Sequence, residues 1–137
     1  MEETIRLSRL LGKHLQETEA YQQMKRAEEA ADQDAELQRM IGEFNVKRMN
    51  LNHLMSSETQ EENAKEKMEE LNIAIQKQYG EIMLNPNMQL YSEAQGAVSE
   101  MMQQINTILT AAVNGQDPDL VDPSACGGDC ASCGGCH

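Results

Sequence analysis

Four cysteines fall within eleven residues near the C-terminus, in the run Cys126-Gly-Gly-Asp-Cys130-Ala-Ser-Cys133-Gly-Gly-Cys136-His137. The other 126 residues contain no cysteine, so the grouping is not a by-product of composition. The residues between the thiols are Gly, Ala, Ser and Asp. Small residues let a backbone wrap closely around a central guest, and glycine supplies the positive φ values that such a wrap needs. Three chemistries fit four thiols at this spacing. Pairwise disulfides are one, and they are rare in a reducing compartment. A structural zinc is the second, although zinc is usually gripped by two CxxC knuckles held apart by a spacer that is missing here. An iron–sulfur cluster is the third. Cys130, Cys133 and Cys136 reproduce the C-x2-C-x2-C run that gives three thiolates to a four-iron cluster, and Cys126 supplies a fourth ligand or binds across an interface. The expected guest is therefore an iron–sulfur cluster of the four-iron type, with zinc as the alternative. His137 is either a further ligand or a spectator at the end of the chain. Cys126, Cys130 and Cys133 also match the C-x3-C-x2-C spacing of radical enzymes dependent on S-adenosylmethionine. Those enzymes need a large α/β barrel, and a chain of 137 residues has no room for one.

The elements that must carry this segment are helices. Proline occurs only at Pro86 before residue 114, glycine is scarce there, and the aromatic residues are three Tyr and one Phe. Long helices packed through aliphatic and Met side chains suit that composition, whereas a sandwich or barrel needs many turns and β-branched strands. Five helices are expected, over about 3–17, 19–32, 35–56, 60–83 and 87–113. Thr18 and Asp34 are placed to cap the second and third, and Asn85-Pro86 marks the start of the fifth. The third carries a row Leu37, Ile41, Phe44, Arg48, Leu51, Met55, and the fourth carries Ala64, Met68, Leu71, Ile75, Gln78, Ile82. Two adjacent helices with a 3.5-residue apolar period and a short connection should form an antiparallel hairpin of coiled-coil type, with arms of roughly 30–35 Å. The fifth helix aligns Tyr91, Ala94, Val98, Met101, Ile105, Ile108 and Ala112. The expected fold is all-α: an elongated helical bundle built on that hairpin, with a Gly/Cys-rich, non-helical C-terminal tail. Residues 1–113 form the helical domain and residues 114–137 the metal-binding tail, the division falling at the helix-stop pair Asn114-Gly115. The rows are narrow and the core thin. Flanking residues such as Met40, Leu54, Tyr79, Met83, Met102 and Leu109 either widen it or meet a second subunit, and self-association is expected.

Charge narrows the function. The formal net charge is −12; residues 1–56 hold 8 basic and 10 acidic groups, and residues 57–137 hold 3 basic and 13 acidic. Phosphate backbones and anionic lipid surfaces are bound by clustered Lys and Arg, so direct nucleic-acid contact and membrane adsorption are not expected. Met1-Glu2-Glu3 opens no secretory signal and no apolar run approaches a bilayer span, which makes the cytoplasm the expected location. Catalysis is not expected either. The residues three before His14 and His53 are Leu11 and Asn50, so the Glu-x-x-His pairs of di-iron bundles are missing. No phosphate-binding Walker sequence, dinucleotide glycine fingerprint, GxSxG elbow or HExxH occurs.

The order of motifs carries a resemblance. Glu17-Thr18-Glu19-Ala20-Tyr21 is followed by Asp34-Ala35-Glu36-Leu37 with Met40, Ile41 and Phe44 behind it. Then come the hairpin and Asn85-Pro86-Asn87-Met88, leading to Tyr91-Ser92-Glu93-Ala94. Over roughly residues 3–113 this resembles the YlbF/YmcA family of small helical bacterial regulators. The resemblance implies a non-catalytic regulator that self-associates and works through protein contacts. It implies YaaT-like and YmcA-like partners, in a complex associated with iron–sulfur clusters, and ribonuclease Y as a further candidate partner. It also implies a link to ribonuclease Y-dependent RNA processing and to competence, sporulation and biofilm development. A cysteine tail occurs in part of that family, so a metal role for Cys126, Cys130, Cys133 and Cys136 rests on those residues as they stand here.

Overall fold

Residues 1–56 and 63–124 are described by a computed structural model of the chain. Among them, five α-helices follow in order: α1 (Glu2–Glu17), α2 (Glu19–Gln33), α3 (Ala35–Ser56), α4 (Ala64–Leu84) and α5 (Pro86–Val113). The described residues contain no strand, and the fold is all-α. It divides into two compact units, Met1–Ala94 and Gln95–His137.

In the first unit each helix boundary has a local cause. Thr18 is extended, its hydroxyl donates to the Leu15 carbonyl at 2.6 Å, and its oxygen accepts the Tyr21 N–H at 3.3 Å. One side chain therefore serves the end of α1 and the start of α2. Asp34 repeats the device: its N–H donates to the Ala31 carbonyl, and its Oδ1 accepts the Leu37 N–H at 3.0 Å. α1 packs on α2, α2 on α3, and α3 on α4. The last pair runs antiparallel, since Glu43 near the start of α3 bonds Gln78 near the end of α4 while Leu54 and Leu71 line one groove nearer the other end.

The core is thin, as the narrow rows imply. Among the described residues the buried apolar side chains are Ala31, Leu37 and Ile82, with Met40, Ile41, Phe44 and Met88 packed against them. In α4 every expected row position from Ala64 to Ile82 is at least half-buried. In α3 the row departs from expectation after Phe44. Arg48 and Met55 are exposed, and Lys47 and Leu54 take the half-buried places. The two alternatives share Leu37, Ile41, Phe44 and Leu51, so the choice rests on what faces them. Lys47 meets the amide oxygen of Gln78 at 2.8 Å, which a lysine satisfies with one compact ammonium. Arg48 instead lies over the Phe44 ring, its guanidinium carbon 5.8 Å from the centroid, keeping the charge near water.

In the second unit, the C-terminal part of α5 presents Val98, Met101, Ile105 and Ile108 as a half-buried row; Ala111, not the expected Ala112, continues it. The helix stops as the Asn114-Gly115 pair predicts. Gly115 has φ +84°, its N–H donates to the Ala112 carbonyl at 3.0 Å, and the Gln116 N–H donates to the Ala111 carbonyl at 3.0 Å. This is the crossed pair of bonds that closes a helix through a left-handed residue. The expected non-helical stretch then begins, with one addition: Pro118–Leu120 form a 3-10 turn capped by Asp117. Asp122 next accepts both the N–H and the hydroxyl of Ser124, at 2.9 and 2.6 Å.

Candidate functional site

Cys126, Cys130, Cys133, Cys136 and His137 lie outside the described residues. Among the described residues, no three His, Cys, Asp or Glu side chains converge as metal ligands. The features within reach of chemical argument are therefore the polar groups of the helical part.

The most connected of these is a clasp at two helix junctions. Asp34 uses Oδ1 to cap α3, and its Oδ2 accepts the Asn85 amide at 3.0 Å and the Asn87 amide at 2.9 Å. Asn85 in turn caps α5, its Oδ1 accepting the N–H groups of Asn87 at 2.9 Å and Met88 at 3.1 Å. Pro86 sits at the first helical position, where a missing N–H leaves nothing unpaired. One carboxylate thus links the α2–α3 and α4–α5 junctions, and Met88 follows into the apolar cluster with Leu37 and Ile82. Two of the motifs that carried the family resemblance, Asp34–Leu37 and Asn85–Met88, meet here.

The hydrogen bonds hold the Asp34 carboxyl below its ordinary value, the Leu37 N–H contributing most and the Asn85 and Asn87 amides next. A carboxyl whose folded-state value is depressed stabilises the fold at pH above the ordinary carboxylate range. That contribution is lost as pH falls through the depressed value. The melting temperature of the wild type should accordingly fall more steeply than that of Asp34→Ala as the pH drops below about 4. Thermal melts over a pH series check this, and parallel curves would contradict it.

A second polar element crosses the α3–α4 seam. Gln78 is 6% exposed. Its Oε1 accepts from Lys47, and its Nε2 donates to Glu43 Oε2 at 3.0 Å, so both ends of a buried amide are satisfied. Beside it, Phe44 and Tyr79 pack with ring centroids 6.2 Å apart. Nearer the other end of the hairpin a shallow groove is lined by Asn50, His53 and Leu54 of α3 and by Lys67, Glu70, Leu71 and Ala74 of α4. The groove has an imidazole and a carboxylate in its wall but no hydroxyl or thiol nucleophile.

The family model described as "Control of competence regulator ComK, YlbF/YmcA" matches residues 5–114. The chain belongs to this family. No curated protein and no solved structure matches the chain. The family's description places this YlbF/YmcA chain among regulators. The match covers all of the helical motifs and ends at the residue before Gly115, so the four cysteines follow the matched region. No helix among the described residues is long and apolar enough to cross a membrane. Sequence reasoning missed two links that join distant segments, Asp34 to Asn85 and Asn87, and Gln78 to Glu43 and Lys47. The available signal for the second was a glutamine at an apolar-row position, which requires a polar partner across the seam.

Proposed function

We propose that this chain is a non-catalytic, cytoplasmic regulatory adaptor whose helices bind protein partners and whose cysteine tail carries an iron–sulfur cluster. The single observation that carries the reading is the regulator-family match over residues 5–114 with four cysteines grouped in residues 126–136 beyond it. The partners are YaaT-like and YmcA-like proteins, with ribonuclease Y as a further candidate. The process served is ribonuclease Y-dependent RNA processing and the competence, sporulation and biofilm programmes tied to it. Self-association belongs to the same reading. Residues 1–113 are the contact domain and residues 114–137 the metal-binding part.

Four thiolates suit the cluster chemically, because soft sulfur donors select iron–sulfur clusters or zinc over harder cations. Cys126, Cys130, Cys133 and Cys136 would hold it. Bound there, the cluster would supply sensitivity to iron supply and oxidants, and metal binding would order a segment whose composition offers no apolar core. A zinc module on the same helices is the second reading, since four thiolates also complete a tetrahedral zinc site. The test is partner binding in the absence of oxygen, with the full chain and with a chain ending at Val113. The adaptor reading predicts that air or an iron chelator changes partner affinity of the full chain and leaves the shortened chain indifferent. Equal affinities under all these conditions would overturn the regulatory role of the tail.

A further inference from the structure

The part of α5 that lies in the unit Gln95–His137 has no buried residue, yet it carries a continuous apolar face. Val98, Met101, Met102, Ile105, Ile108 and Leu109 recur three and four residues apart, which places them along one side of the helix. Met102 is 39% exposed, Leu109 54%, and Val113, at the end of the row, 88%. Glu100 is the only charged residue between 95 and 113; it comes two residues after Val98 and so falls on the opposite side. An apolar face of that length marks a surface that something covers.

Charge selects the occupant. Residues 78–137 contain seven Asp or Glu and no Lys or Arg. Asp117, Asp119 and Asp122, all exposed, follow the end of the apolar row. They stand where the helix dipole is itself negative and where the last turn of α5 has no basic residue. A second copy of this face would therefore set acid against acid. The other helices of the chain are no better matched. Among α1 to α4 only α3 has more Lys and Arg than Asp and Glu, by one, and α3 is packed on α2 and α4. We propose that this face of α5 is the docking surface for an amphipathic helix of a partner protein, one whose apolar side is flanked by Lys and Arg. Burial of the two apolar faces supplies the affinity, and the charges supply choice of partner and orientation. The proposal rests on the adaptor reading above and adds the surface and the chemistry of the partner.

Fluorescence anisotropy of the full chain with a labelled synthetic helix of Leu and Lys tests it. A peptide of the same pattern with Glu in place of Lys is the comparison, and far-UV circular dichroism controls for folding. The Lys peptide should bind, more weakly as salt is raised, and the Glu peptide should not. Ile105→Asp/Leu109→Asp should raise the dissociation constant on the order of 100-fold. Asp117→Asn/Asp119→Asn keeps the side-chain oxygen that caps residue 119 and should raise it about threefold, with a shallower salt dependence. Leu7→Asp/Leu10→Asp, at exposed positions of α1, should leave it unchanged. A Glu peptide that binds as tightly overturns the basic partner. Binding kept by the α5 variant, or lost equally in the α1 variant, overturns α5 as the surface. A Lys peptide that fails to bind overturns the proposal, and if Ile105→Asp/Leu109→Asp also turns a dimer into a monomer in sedimentation velocity, the occupant is a second copy. The adaptor reading fails differently, through partner binding that ignores air, iron chelator and the tail.

Discussion

Leu37→Ala is expected to lower the stability of the fold by about 3 kcal/mol, within the range for removing a buried leucine side chain. Leu37 is 0% exposed and is the largest fully buried side chain among the described residues. It touches a core whose other buried apolar members are Ala31 and Ile82, both near the α2–α3 and α4–α5 junctions that Asp34 clasps. The cavity therefore opens where three helices depend on one another, and few neighbours are available to collapse into it. Against a total stability of roughly 5–15 kcal/mol for a domain, that loss is large, and the melting temperature should fall on the order of 10 °C. Thermal denaturation at fixed protein concentration measures it. Val46→Ala, at a side chain 57% exposed, serves as the comparison and should change little. Equal shifts in the two variants would contradict the description of the core.

The same residues show how much of the fold is legible in the sequence. Helix boundaries are, because Thr18, Asp34 and Asn85-Pro86 act on backbone groups within three or four residues and announce themselves locally. The packing of α4 is legible too, since every position of its expected row is half-buried or buried, with Ala74 and Met83 widening it. The row of α3 is only half legible: Lys47 and Arg48 stand equally well in a heptad count, and Gln78 on the other arm decides between them. The clasp of Asp34 with Asn85 and Asn87 spans 51 and 53 residues of chain. No local pattern encodes a bond of that range. The exposure of Ile5, Leu7 and Leu10 on α1 is likewise a tertiary fact, because helical spacing of apolar residues looks the same whether or not the chain covers them. The cysteine run stands out by composition alone, and its residues lie outside those described.

Cys130→Ser and Cys133→Ser are each expected to abolish metal binding by the tail while leaving the helical circular dichroism nearly intact. Both residues are central to the run, sharing C-x2-C or C-x3-C spacings with their neighbours, so loss of either breaks the contiguous donor set. A serine hydroxyl is a poor substitute for thiolate at iron or zinc, since it stays protonated near neutral pH. The helices have their own caps and seam, so their content should not follow the metal. Metal analysis of air-free preparations, with far-UV spectra recorded in parallel, checks both halves. Metal retained at the wild-type level in these variants would contradict the assignment of ligands.

If the thiols of this YlbF/YmcA-family regulator hold an inorganic cluster, the full chain purified without oxygen should show it when iron, acid-labile sulfide and zinc are measured beside the visible spectrum. The expected result is a brown protein with iron and sulfide in equal amounts and a sulfur-to-iron charge-transfer band that fades in air. A colourless protein that carries zinc, or one whose thiols are empty or joined in pairs, would contradict it.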